Sequence, residues 1–173
     1  MSKTTLGTIW LDACSGCHMS FLDLDEVLVE LAPQIEMVYG PLVDHKEIPD
    51  HVGLFLISGA VSTDKDYKKV KNIRESSDLV ISLGDCAVTG NVPSMRNSFA
   101  VEDVLAESYG QESVNSWDEH VPRLEEPVRP VHQVIEMDGF IQGCPPGRQL
   151  IEFYLRELLE GRVPGRGIRT KFG

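Results

Sequence analysis

At 173 residues, with 42% hydrophobic and 25% charged residues, the chain is long enough to bury a substantial core without disulfides. Its 16 Lys and Arg against 27 Asp and Glu leave a net charge of −11, which argues against general binding of nucleic-acid phosphates or anionic lipid. The N-terminal run is broken by Thr8 and ended by Asp12, so it has neither a signal-peptide core nor a twin-arginine start, and nothing approaches the roughly 18 apolar residues of a membrane helix. The expected address is the reducing cytoplasm, where four cysteines bind metal or do redox chemistry rather than form bridges.

Short β-rich runs alternate with amphipathic stretches along the chain. LGTIWL (6–11) reads as a first strand ending at the CSGC loop. FLDLDEVLVELA (21–32) reads as one helix with Leu24, Val27, Leu28 and Leu31 on one face, closed by Pro33. IEMVY (35–39) and VGLFLI (52–57) are the second and third strands. Residues 64–77 form a helix with Tyr67, Val70 and Ile73 inward, its lysines 65, 68, 69 and 71 solvated. DLVISL (78–83) is a fourth strand, nearly all apolar as expected when both sheet faces are covered. A fifth lies within 134–142, and Pro145 and Pro146 start a helix with a stripe of Leu150, Ile151, Tyr154, Leu155, Leu158 and Leu159. The expected fold is α/β: a flavodoxin-like five-stranded parallel sheet with flanking helices, in a single domain spanning 1–173. Residues 95–130, with Trp117, Pro122, Pro127 and Pro130, break the rhythm and read as a long irregular insertion or interface arm.

Every cysteine falls in a turn just after a strand: Cys14 and Cys17 after the first, Cys86 after the fourth, Cys144 after the fifth. Parallel winding gathers the carboxyl ends of strands at one edge, so thiols distant in sequence are expected to converge. Four thiolates suit a [4Fe–4S] cluster, whose negative charge must be met by N–H donors. The flanking glycines 16, 84, 90 and 143 allow close backbone approach, and the following helix N-termini would add partial positive charge. Two other readings stand beside this one. Structural zinc would use the same residues, although only one short-spaced pair is present. A redox CxxC before a helix would leave Cys86 and Cys144 without a role.

The segments CSGCHMSFLD, LGDCAVTGNVPSMRN and GCPP, in that order, resemble the small subunit of [NiFe] hydrogenases, and most of all the short small subunit of the cytoplasmic bidirectional, NAD-linked enzymes. The likeness runs from about residue 8 to residue 161. It implies that Cys14, Cys17, Cys86 and Cys144 bind one [4Fe–4S] cluster, with the Ni–Fe centre on a separate large subunit. The implied role is electron transfer between that centre and the iron–sulfur and flavin subunits of an NAD-reducing module. No further cysteine is present, so one cysteine-ligated cubane is the limit. The complex I relative has adjacent first cysteines, whereas Ser15 and Gly16 separate them here; a membrane-bound energy-converting hydrogenase is the second reading. A flavodoxin-like sheet also makes FMN possible, with GNVPS a weak phosphate loop, although the cluster loops occupy the strand ends where a flavin would sit; no residue is assigned to that flavin.

Several lesser features have a bland reading beside a functional one. His18 reads as a surface or interface histidine before a hydrogen-bond donor to the cluster or a proton shuttle. Asp12 and Asp85 read as turn caps. Arg96 and Arg148 are either solvated or paired with carboxylates across a subunit interface. Trp10 and Trp117 suit either a core or an interface. The basic tail, 161–173, with Arg162, Arg166, Arg169 and Lys171, suits either a flexible end or an acidic partner.

Overall fold

The computed structural model describes residues 3–115 and 120–165. Five strands, β1 (Thr4–Trp10), β2 (Ile35–Tyr39), β3 (Val52–Ser58), β5 (Ser77–Leu83) and β7 (Gly139–Ile141), form one parallel sheet in the order β2-β1-β3-β5-β7. Counting only these strands, the order is the flavodoxin-like 2-1-3-4-5. The expected winding is therefore present, with strand boundaries within two residues of expectation except for β7, which is shorter than its allotted window.

Both faces of the sheet are covered, which accounts for the near-continuous apolar strands. On one face α1 (Gly16–Leu22), α2 (Glu26–Leu31) and α6 (Arg148–Leu159) pack Phe21, Leu31, Ile151, Tyr154 and Leu155 onto Leu54, Leu56, Ile81 and Leu83, joined by Leu24 from the link between α1 and α2. On the other, α3 (Asp64–Ser76) seats Val70 and Ile73 against Phe55, Ile57 and Val80. A reciprocal cap starts α3: Asp66 N donates to Thr63 Oγ1 at 3.1 Å, and Thr63 N to Asp66 Oδ2 at 3.0 Å. The lysines of α3 are exposed, as expected.

The single helix expected over 21–32 is two. Asp23, Leu24 and Asp25 lie in the break, and Asp25 takes φ 47°, outside the helical region. Leu24 and Leu31 still reach the core that their spacing implied.

The 95–130 segment has more order than the sequence suggested. It holds a 3-10 turn beginning at Val92 (Val92–Ser98), α5 (Val101–Tyr109) and β6 (Leu124–Arg129). β6 pairs antiparallel with β4 (Val61–Thr63) beside the main sheet. Arg96 Nη2 donates to the carbonyls of Ser62 and Glu125, both at 2.9 Å, and Asn97 exchanges two hydrogen bonds with the Val128 backbone. Trp117, Arg166, Arg169 and Lys171 lie outside the described residues.

Candidate metal centre

β1, β5 and β7 end at the same edge of the sheet, with β3 between β1 and β5, and the loops that leave them carry all four cysteines. Cys14 precedes α1, Cys17 lies in its first turn, Cys86 lies in α4 (Asp85–Thr89), and Cys144 follows β7. None is in a disulfide; Cys86 is buried, Cys17 is half-buried, and Cys14 and Cys144 are exposed.

Close contacts tie these loops together. A β-carbon at Gly84 would stand 2.2 Å from Cys17 Sγ, and one at Gly16 would stand 3.3 Å from Cys14 Sγ and 3.9 Å from Pro145 Cβ. Gly84 N donates to Ile141 O at 2.7 Å, and Asp85 N to Gly143 O at 2.9 Å. In return Gly143 N donates to Asp85 Oδ1 at 2.8 Å, so Asp85 clamps the Cys86 loop to the Cys144 loop rather than capping its own turn. Ser20 Oγ donates to Pro146 O, joining α1 to the third loop.

Replacing Asp85 by Ala removes a charge-assisted hydrogen bond in a half-buried place and is expected to lower stability by about 1.5–3 kcal/mol. Denaturant titration checks this; Asp85→Asn, which keeps an acceptor oxygen, is expected to recover part of the loss.

The electrostatics follow from this convergence. Burial, then the neighbouring Cys86, Cys14 and Cys144, then Asp85, push the Cys17 thiol up to about 12. Burial pushes the Cys86 thiol up as well, helped by Cys144 and Cys14; hydrogen bonds from the Val92 backbone N–H and the Asn91 side chain pull it back. Thiols that disfavour one another's ionisation stay protonated alone, and a cationic centre bound among them would have to offset that cost to release their protons.

The donor set fits an iron–sulfur cubane. It offers four thiols, a side-chain-free approach at Gly84, and N–H donors from Asn91 and Val92 toward sulfur. Among the described residues no three His, Cys, Asp or Glu side chains are grouped to hold a single metal ion. A cubane takes each thiolate on its own iron and does not require the sulfurs to close around one point, as zinc does at about 2.3 Å.

Several expectations need correction. His18 is buried, not superficial: its Nδ1 lies 3.2 Å from Ser58 Oγ, its ring meets the edge of half-exposed Trp10, and burial pulls its pKa down to about 4. Arg96 is spent on backbone carbonyls of its own chain, whereas Arg148 stays exposed, in keeping with its solvated reading, and reaches Asp23 O at 3.4 Å. Arg162 of the basic tail pairs with Glu157 and Glu160, so it is engaged by its own chain. Of the helices after the cysteine loops, α1 and α4 have only seven and five residues and leave little macrodipole, whereas α6, after Cys144, has twelve; Asn91 and Val92 add donors of their own. Asn91 was missed by sequence reasoning, its only signal being a Gly-Asn turn shortly after Cys86.

The family model described as NADH ubiquinone oxidoreductase, 20 Kd subunit, matches residues 14–158. The chain is 39% identical over 168 residues to the NAD-reducing hydrogenase HoxS subunit delta of Cupriavidus necator, covering 92% of this chain and 80% of that protein. It is 40% identical to a subunit of the F420-non-reducing hydrogenase (vhu) of Methanococcus voltae, covering 94% of this chain but 58% of that longer protein. A solved NAD+-reducing [NiFe]-hydrogenase in its H2-reduced state superposes with a TM-score of 0.89 at 31% identity, over 98% of both chains. The [NiFeSe] hydrogenase of Desulfovibrio vulgaris Hildenborough shares the fold, with a TM-score of 0.60 at 17% identity, covering 92% of this chain and 60% of that one.

Proposed function

Because the chain belongs to the NADH ubiquinone oxidoreductase 20 Kd subunit family and is a hydrogenase small subunit, part of an oxidoreductase, we propose that it is the electron-transfer subunit of an NAD-reducing [NiFe] hydrogenase. In this reading residues 1–173 make one iron–sulfur-binding domain. Cys14, Cys17, Cys86 and Cys144 hold one [4Fe–4S] cluster. When bound, the cluster supplies one-electron relay chemistry between the Ni–Fe site of a large subunit and the iron–sulfur and flavin subunits of the NAD-reducing module. The observation that carries the reading is the convergence of all four cysteines on one sheet edge, with Gly84 leaving space beside Cys17 Sγ.

The chain's own groups have distinct tasks there. Cys86 and Cys17 anchor the buried side, while exposed Cys14 and Cys144 leave the other side open to a partner. Arg96 and Asn97 pin the turn 92–98 through their hydrogen bonds, leaving Val92, Met95 and Phe99 exposed as an apolar rim. A large subunit seated on that rim would exclude water from the site and shorten the electron path. We place the complex in the cytoplasm; among the described residues no helix is long and apolar enough to cross a membrane.

Metal analysis of the anaerobically purified complex tests the reading. Iron and acid-labile sulfide near four each, assigned to this chain by loss in its cysteine variants, is the expected result. One zinc and no sulfide on the four cysteines would sink it. Co-purifying subunits distinguish the soluble complex from a membrane-bound energy-converting one.

A further inference from the structure

Asn91 occupies the turn between α4, which carries Cys86, and the turn 92–98. Its Nδ2 lies 3.4 Å from Cys144 Sγ, and its side chain also stands near enough to the Cys86 thiol to pull its pKa down. A carboxamide has two N–H donors, so one side chain can serve both sulfurs. The residue adopts φ 34°, ψ −128°, a conformation costly for any residue with a β-carbon. Glycine would occupy this place without strain. Asn holds it instead, and its side chain is spent on ligand sulfur.

We propose that Asn91 is a positioning residue whose carboxamide, bridging the Cys86 and Cys144 loops, donates hydrogen bonds to ligand sulfur and raises the reduction potential of the bound cluster. The inference rests on the proposed cluster site. Its physical basis is charge. Reduction adds an electron to an already negative cluster, and N–H donors aimed at sulfur stabilise the reduced form more than the oxidised one. The Val92 backbone N–H acts in the same sense on Cys86 and survives any side-chain substitution at 91.

The test is a redox titration, followed by electron paramagnetic resonance, of the whole complex carrying Asn91→Gly or Asn91→Asp. Asn91→Gly relieves the backbone and removes the donors; iron and sulfide are expected at wild-type content, with the midpoint potential moved to a more negative value. Asn91→Asp exchanges donors for a negative acceptor and is expected to shift further in the same direction. A wild-type potential in an iron-replete Asn91→Gly complex overturns the proposal while leaving the cluster site standing. Should Asn91→Gly lose iron, Asn91→Asp decides, and an unshifted or more positive potential there overturns it. Zinc without sulfide on the wild-type chain would overturn the site reading and this inference together.

Discussion

Complexes assembled with Cys86→Ser are expected to lose cluster iron and to reduce NAD+ with hydrogen more than about 100-fold more slowly than the parent. Cys86 is the most buried of the four thiols, and its loop is held by the Asp85–Gly143 clamp. A serine oxygen there is a harder and shorter ligand, poorly matched to iron in a sulfide cluster. Iron and sulfide assays, the cluster's resonance signal and hydrogen-driven NAD+ reduction should fall together. Circular dichroism of the variant checks that the sheet persists, since Cys86 lies in α4, outside the strands. Undiminished turnover in an assembled Cys86→Ser complex would refute the relay role.

Gly84→Ala should be nearly as damaging, for a different reason. Gly84 adopts φ 84°, ψ 162°, a region open essentially only to glycine, so any side chain there costs about 1–3 kcal/mol of backbone strain. Its β-carbon would also stand 2.2 Å from Cys17 Sγ, where no pair of atoms can rest, so either Cys17 turns away or the two loops separate. Either response misplaces a ligand. Gly110 provides the control: it has φ 88°, ψ 160°, and no atom within 4 Å of its would-be β-carbon. Gly110→Ala therefore imposes similar strain with no clash and no cysteine sulfur within 4 Å of the new β-carbon. Loss of iron in Gly84→Ala, with retention in Gly110→Ala at comparable loss of melting temperature, is the expected pattern. Equal iron in both variants would show that the space beside Cys17 does not matter to the site.

Much of this architecture could be read along the chain because its signals are local. The strand at 35–39 and the helix from Asp64 are visible as apolar periodicity with start and stop residues, and the structure agrees to within a residue. The break at Asp23 and Asp25 is not visible that way, because periodicity weighs side chains by face and is blind to the positive φ that Asp25 adopts. The insertion misleads in the same way. Its ordering depends on β4 and β6, separated by about sixty residues, and on Arg96 and Asn97 bonding to carbonyls of those segments, none of which leaves a local trace.

Four thiols after three strands are written along the chain, and parallel winding with right-handed crossovers then forces those loops to one edge of the sheet. How the site is built once the loops meet is a matter of packing between distant residues. That packing placed Gly84 against Cys17 and Asp85 across to Gly143, turned Asn91 onto sulfur, and buried His18 beneath Trp10. The physical reason is range. Hydrophobic period and turn chemistry act over a few residues and are written in order along the chain, whereas hydrogen bonds and excluded volume at the cysteine edge join residues that become neighbours only when the sheet has closed.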